Sequence, residues 1–289
     1  MSDHIIDTHI HIWDLDQADY LWLKGDTSIL NRNYELSELE ESRVAAGVTE
    51  GILVQAANNP EDTDWMLRVA AGTDWIKGVV GWVPLQDPLA TEKVLAEKYI
   101  RNPYFKGVRH LIHNEADPGW LLQATVIESL GILADHGLSY DVVGVIPAHI
   151  TTALKVAEKV PELRMVFDHL NQPPIGRKEG WGEWGALMKE AAAHRNFYVK
   201  ISGLGTASGN FENWKTADLE PAIDFVLRHF GEDRCFCGGD WPVSLLAGSY
   251  ERVWKAYRDI LKGLLGKGGE EKLLYKNAQH FYGLIEATS

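Results

Sequence analysis

Asp7-Thr8-His9-Ile10-His11 closes an apolar opening, Ile5-Ile6, and runs on into Ile12-Trp13-Asp14. His9, His11 and Trp13 alternate with Ile10 and Ile12, the two-residue period of a strand. Side chains two apart leave the same face of a strand, so the two imidazoles converge on one point. Held that way they form a ready pair of metal ligands, or a pair of donors for a bound anion or oxyanion. What else reaches that point depends on the rest of the chain.

Similar runs recur. β-Branched or aromatic stretches at Ile5–Ile12, Gly51–Ala56, Gly78–Pro84, Phe105–Ile112, Leu138–Val145, Arg164–Leu170, Phe197–Ser202 and Arg234–Asp240 predict eight strands. Helical spacing fills the intervals. Leu36–Val48 is the first such stretch, where Ser37 with Glu40 three residues later reads as a capping box. Trp65–Ala70 follows Pro60, and Leu89–Tyr99, Leu121–Ala134, Ile150–Val160, Trp184–His194, Ile223–Phe230 and Val253–Leu265 supply the others. A last segment, Glu270–Ile285, predicts an extra C-terminal helix. Successive runs begin about 26 to 46 residues apart, the size of a βα unit with its loops. Alternation of this kind predicts a parallel sheet. Eight units favour closure into a (β/α)8 TIM barrel over a doubly wound sheet, which more often has about five to seven strands. The expected fold is therefore α/β, one barrel domain over residues 1–289 with the additional C-terminal helix.

Length and composition agree with that. The 289 residues suit a barrel, which takes about 250. The apolar share of 45% and charged share of 24% are those of a globular protein. A formal charge of −13 argues against nucleic acid or an anionic membrane as partner, and an anionic substrate would need locally placed Arg or Lys. The N-terminus lacks a basic region followed by an apolar core, and no apolar run approaches the roughly 18 residues of a membrane span. The two cysteines, Cys235 and Cys237, fall two apart on one expected strand, poorly placed to bridge, and read as small buried side chains. A cytoplasmic protein is the expectation.

In a barrel of this kind the chemistry sits at the C-terminal ends of the strands. Those ends carry His9 and His11 on the first, Gln55 with Asn58 beyond it on the second, and Trp82 and Pro84 on the third. The fourth ends in Arg109, His110 and His113, and the fifth carries Asp141. Asp168-His169 ends the sixth, Lys200 and Ser202 the seventh, and Gly239-Asp240-Trp241-Pro242 the eighth. His9, His11, His169 and Asp240 can all point into one mouth. Three imidazoles and a carboxylate suit a single divalent ion, with Zn²⁺ the leading choice, and leave room for water. Strands eight and one are neighbours when a barrel closes, which puts Asp240 in reach of the histidine pair.

The combination Asp-Thr-His-Ile-His at 7–11, Lys-Gly-Val-Arg-His at 106–110, Phe-Asp-His-Leu at 167–170, Lys-Ile-Ser-Gly-Leu at 200–204 and Gly-Gly-Asp-Trp-Pro at 238–242 resembles the amidohydrolase superfamily over essentially the whole chain. More narrowly it resembles the sugar-lactone branch, which includes L-fuconolactonase, rhamnonolactonase and pyrone-dicarboxylate lactonase. The resemblance implies that Asp240 is the general base that activates water and returns the proton to the departing ring oxygen. It implies that His9, His11 and His169 bind a metal or polarise the lactone carbonyl, with the metal dispensable in some members. Two-metal members use a strand-four Lys and a strand-five His; here Lys106 falls early in its strand and strand five offers Asp141, so one metal or none fits better.

Other residues keep two readings. Arg109 is a substrate clamp or a buried ion pair. His110 and Gln55 bind substrate hydroxyls or pack the barrel mouth. Lys200 neutralises Asp240, contacts substrate, or pairs with another carboxylate, and Trp241 beside Asp240 is a further candidate contact. Asp7 orients the His-x-His segment. Long loops at Trp13–Tyr34, Asn171–Trp184 and Gly203–Trp214 offer aromatic and polar side chains that suit a sugar-like ligand. The expected activity is hydrolysis of a small sugar-derived lactone, a carboxylic ester hydrolase reaction. The rival is a metal-dependent decarboxylase of the same superfamily acting on an unsaturated or aromatic acid. The expected partner is a small-molecule lactone, and a homodimer is the expected assembly.

Overall fold

In the computed structural model, which describes residues 4–176 and 180–284, eight parallel strands succeed one another around one sheet in chain order. They are β1 (Ile6–Ile10), β2 (Glu50–Val54), β3 (Ile76–Gly81), β4 (Phe105–His110), β5 (Ser139–Val142), β6 (Arg164–Phe167), β7 (Phe197–Ile201) and β8 (Cys235–Cys237). The ring closes just beyond β8. The backbone N–H of Asp240 donates to the His9 carbonyl at 2.8 Å, and that of His11 to the Trp241 carbonyl at 2.7 Å. Closure itself therefore sets Asp240 against the histidine pair.

All eight expected strands exist, but most end two or three residues early. The eighth run, expected to reach Asp240, is ladder-paired only through Cys237, because Gly238 and Gly239 lead into a left-handed Asp240. Residues that looked like strand ends are the loops of the mouth. Both cysteines are buried and free.

Outside the barrel run α1 (Leu36–Ala46), α2 (Pro60–Ala71), α3 (Pro88–Val94), α4 (Ala124–Asp135), α5 (Pro147–Lys159) and α6 (Gly182–Ala193). A one-turn α7 (Leu204–Ala207) precedes α8 (Thr216–Phe230) and α9 (Tyr250–Leu264). The capping box of α1 is not at Ser37. Helix geometry already begins at Leu36, so Glu35 is the cap and its reciprocal partner is Glu38. Apolar stripes on these helices bury against the outward strand faces. Leu39 of α1, Met66 of α2, Val126 of α4, Ile150 of α5 and Trp254 of α9 are at most 2% exposed in one continuous core.

The extra C-terminal element is α10 (Lys267–Glu271), a π turn at Lys272–Lys276, and α11 (Asn277–Tyr282); its expected end at Ile285 lies outside the described residues. It covers the N-terminal end of the barrel. Arg164 at the start of β6 donates to the Phe281 carbonyl at 2.5 Å, and Asn277 donates to the carbonyl of Cys235 at the start of β8 at 2.7 Å. Beneath it, Ile6, Ile52, Val80, Val166 and Phe236 pack with Ala278, Phe281 and Tyr282 as a separate apolar cluster. One end of the barrel is sealed, which leaves the other for a ligand.

Candidate active site

Strict alternation along β1 would put Asp7 on the face of His9 and His11. Instead the pairing with β2 shifts register between Asp7 and Ile10, and Asp7 turns outward to α9. Its carboxylate accepts from the backbone N–H of His9 at 2.9 Å, from that of Gly239 at 2.8 Å, and from the Tyr250 hydroxyl at 2.6 Å. That clamp fixes the histidine segment to the loop bearing Asp240, as expected of Asp7. A Cβ at Gly239 would come within 2.5 Å of Asp7 Oδ2, so glycine is required there.

His169 and Asp240 both sit in left-handed backbone, at φ 53° and 57°. Non-glycine residues adopt such conformations at a cost of about 1–3 kcal/mol each. The turns re-aim both side chains into the mouth. Gly203, itself at φ 58°, lies against them: a Cβ there would stand 2.6 Å from His169 Nδ1 and 2.7 Å from Asp240 Oδ2.

His9 Nε2 and His11 Nε2 are 3.1 Å apart. Asp240 Oδ1 lies 3.8 Å from His9 Nε2, 3.5 Å from His11 Nε2 and 3.9 Å from His169 Nε2. Among the described residues, candidate ligand atoms of His9, His11 and Asp240 all fall within 4.8 Å of one another. His169, the fourth expected ligand, is not among those three. It stands beside that trio, with Ser202 Oγ 2.9 Å from its Nδ1 and accepting from its backbone N–H at 3.2 Å.

The donor chemistry of the trio fits a divalent cation. His11 Nδ1 is 2.7 Å from the Val54 carbonyl, which can only accept, so Nδ1 carries the hydrogen and Nε2 offers its lone pair. His9 Nε2 faces the donor-only guanidinium of Arg109 at 3.2 Å, and its Nδ1 faces both the Lys200 ammonium at 3.3 Å and Asp168 Oδ1 at 3.4 Å. A carboxylate behind a ligand histidine is the usual way of orienting a metal-binding imidazole. His9 Nε2 and His11 Nε2 lie 3.1 Å apart, near enough for one cation to meet both. Burial pushes His11 down to about 3 and His9 well below the ordinary histidine range, so both are neutral, as ligands must be. Burial pushes the Asp240 carboxyl up, with His169 and Arg109 opposing it.

Below the trio lies a dry ionic layer. Lys200 Nζ is 2.5 Å from Asp141 Oδ2 and 3.1 Å from Asp168 Oδ1, and Asp168 Oδ2 accepts from Arg109 Nη1 at 3.0 Å. Arg109 Nη2 also donates to the Gln55 carbonyl. Burial pushes Asp168 up, but Lys200, His9 and Arg109 outweigh it and hold the carboxyl well below the usual range. Asp141 has weaker compensation, and burial raises it to about 6. Two cations face three carboxylates if Asp240 is included, so the assembly carries one formal negative charge before any ion or ligand enters.

Above the trio opens a cavity of about 280 Å³. His11, His169, Asp240 and the Arg109 guanidinium form its base. Trp13, Trp22, Leu111, Val143 and Val243 make apolar walls, and His113, Gln172 and Thr206 bring polar groups. The loops after β1, β6 and β7 all contribute, as their composition predicted, although residues 177–179 lie outside the described residues.

Four expected substrate contacts are elsewhere. Lys200 is wholly buried and engaged by Asp141, Asp168 and His9, not by Asp240. Gln55 is wholly buried and donates to the Arg109 carbonyl at 3.0 Å. His110 stacks on Trp120 at 3.9 Å and bonds to Trp82, Asn58 and Glu115. Trp241 packs edge-on against Tyr34 and carries the closing backbone bond. None of the four lines the cavity. Arg109 does, but as part of the ion pair with Asp168. Lys106 reaches the other end of the barrel, at the Gly283 carbonyl, so no strand-four lysine bridges a second metal.

Comparison with known proteins fits the geometry. Residues 6–284 match the Amidohydrolase family. The chain is 33% identical to an L-fucono-1,5-lactonase of Burkholderia ambifaria over 96% of its length and 94% of the relative's. It is 30% identical to an L-fucono-1,5-lactonase of Burkholderia multivorans, over 97% and 96%. The crystal structure of an amidohydrolase from Burkholderia multivorans with bound zinc superposes with a TM-score of 0.89 at 27% identity, covering 97% of this chain and 99% of that one.

Proposed function

The chain belongs to the amidohydrolase family, and from that premise we propose that it hydrolyses a small sugar-derived lactone to its hydroxy acid. The observation that carries the reading is Asp240: a buried carboxylate with a raised pKa, beside three imidazoles, at the base of a cavity that opens to solvent. The names of two relatives that this chain matches over nearly its full length supply the substrate class.

In this reading water adds to the lactone carbonyl carbon, the acyl bond to the ring oxygen breaks, and one proton moves from the water to that oxygen. Asp240 takes the proton as general base and returns it as general acid, a role its raised pKa suits. The backbone N–H of His169 already donates to Ser202 Oγ, so the serine hydroxyl hydrogen is free to bond Nδ1. Nε2 then carries a hydrogen aimed at the cavity, and His169 serves as a donor to the carbonyl oxygen. His9, His11 and Asp240 would hold one divalent ion, Zn²⁺ for preference, as the bound zinc of the Burkholderia multivorans structure supports. Such an ion supplies Lewis-acid polarisation and a more acidic water.

Among the described residues Arg109 is the one Lys or Arg at the cavity base, and its guanidinium is bound to Asp168, Gln55 and His9. That supports an uncharged lactone over a dicarboxylate. Gln55, His110, Lys200 and Trp241 take supporting places in this proposal. Among the described residues no helix is long and apolar enough to cross a membrane. The cytoplasm as compartment, residues 1–289 as one domain and a homodimer as working state belong to the same proposal.

The test is acid release, followed with a pH indicator, from a panel of aldonolactones that includes L-fucono-1,5-lactone, with and without chelator. A parallel arm measures CO₂ from hydroxylated aromatic acids. Turnover in the first arm alone supports the reading; CO₂ release with no lactone turnover would replace it with the decarboxylase.

A further inference from the structure

The ionic layer beneath the site does not end at the strands. Tyr282, on the helix that seals the opposite end of the barrel, donates its hydroxyl to Asp141, at 3.1 Å from Oδ2 and 3.3 Å from Oδ1. From Asp141 the contacts continue to Lys200, at 2.5 Å, and Lys200 reaches His9 Nδ1 both directly, at 3.3 Å, and by way of Asp168, 3.1 Å from the ammonium and 3.4 Å from Nδ1. Every member is buried, and Tyr282 is 3% exposed. We propose that Tyr282 is a positioning residue for His9: by holding Asp141 it fixes Lys200, which bears on the imidazole directly and through the Asp168 carboxylate. The proposal rests on His9 belonging to the working site.

Lys200 is shared between two carboxylates, and its place is set by how each is held. Asp168 is anchored on its other oxygen by Arg109. Asp141 has Tyr282 as its corresponding anchor. Burial keeps the phenol well above its ordinary range, so it stays a donor. Without that donor Asp141 can swing, and the ammonium follows it down the barrel away from Asp168. Asp168 then gains freedom to rotate, and with it His9. The apolar part of Tyr282 packs with Phe236 and Phe281, which phenylalanine at the same position would preserve.

Tyr282→Phe removes the hydroxyl and keeps the ring. Ala278→Gly loosens the same plug without touching Asp141, and serves as the control. Two readouts are needed. Imidazole ¹⁵N NMR of the full chain, with no substrate present, reports the environment of His9. Steady-state hydrolysis reports kcat and KM separately. The expected result is a displaced His9 Nδ1 resonance in Tyr282→Phe and a kcat about fivefold lower with KM within about twofold, since outer partners of this kind cost about tenfold or more when one step nearer the ligand. Ala278→Gly should lower the melting temperature and leave both readouts at wild-type values. An unchanged His9 resonance in Tyr282→Phe overturns the proposal, as does the same change in both variants. Because the NMR arm needs no turnover, it decides the question even if the lactone reading fails.

Discussion

Two layers of charged and polar residues sit one above the other in this barrel, and they differ in what their hydrogen bonds face. In the lower one, Arg109, Asp141, Asp168 and Lys200 face each other and are at most 3% exposed. In the upper one, His11, His169 and Asp240 keep an atom directed at a cavity. The lesson is that a cation on a barrel strand becomes a substrate contact only if it is not already satisfied. The lower layer uses its cations on carboxylates and on His9, and the upper layer presents its imidazoles and carboxylate to the cavity.

Removing one partner from the lower layer gives the largest expected effect. Lys200→Met should destabilise by about 3–5 kcal/mol, because it leaves Asp141 and Asp168 buried without their shared cation. Urea unfolding measures it. A variant that kept wild-type stability but raised KM would instead put Lys200 in the substrate's path and merge the two layers.

A third kind of buried carboxylate sharpens the contrast. Asp62 accepts from the backbone N–H of Ala56 at 2.8 Å and from Tyr20 at 2.8 Å, with no cation bonded to it, and burial raises it to about 6. A carboxyl raised on folding is protonated in the native state between its unfolded value of 3.8 and about 6, while the unfolded chain has lost the proton. Stability must therefore fall as pH rises through that window and level off above it. The share of that drop due to Asp62 should be on the order of 2–3 kcal/mol, and Asp62→Asn, which cannot ionise, should remove that share of the slope while Asp7 and Asp141, also raised to about 6, keep theirs. Melting temperatures from pH 4 to 7 would show it; an unaltered slope would mean that Asp62 is charged throughout.

The smallest effect should come from His110. Its ring is stacked on Trp120 and bonded to Trp82 and Glu115, outside the cavity. His110→Gln should cost about 1–2 kcal/mol of stability through lost hydrogen bonds, yet move KM by less than about threefold. A tenfold rise in KM would return His110 to the substrate-binding set.

The strand periodicity of residues 5–12 and its seven echoes made the barrel legible, because period and spacing are properties of the chain alone. The chain also carried His9, His11, His169 and Asp240 at strand ends. It did not carry the roles of the inner residues. Lys200 and Gln55 looked available because satisfaction by Asp141 or by the Arg109 carbonyl is a property of three-dimensional pairing. Asp168 is the sequence neighbour of His169, and nothing in the local sequence marks its role. On a regular strand the two would face opposite sides, and only the left-handed turn at His169 lets both point inward. Tyr282 lay 141 residues from its partner, with nothing local to mark it.

The most direct test of the central claim is the rate of L-fucono-1,5-lactone hydrolysis by Asp240→Asn against wild type, with circular dichroism to confirm the fold. Loss of the general base should lower kcat by about 10³-fold, within the range expected for a positioned base, in a protein that still melts cooperatively. A folded variant that retained more than about a tenth of the wild-type rate would contradict the assignment and move water activation to another residue.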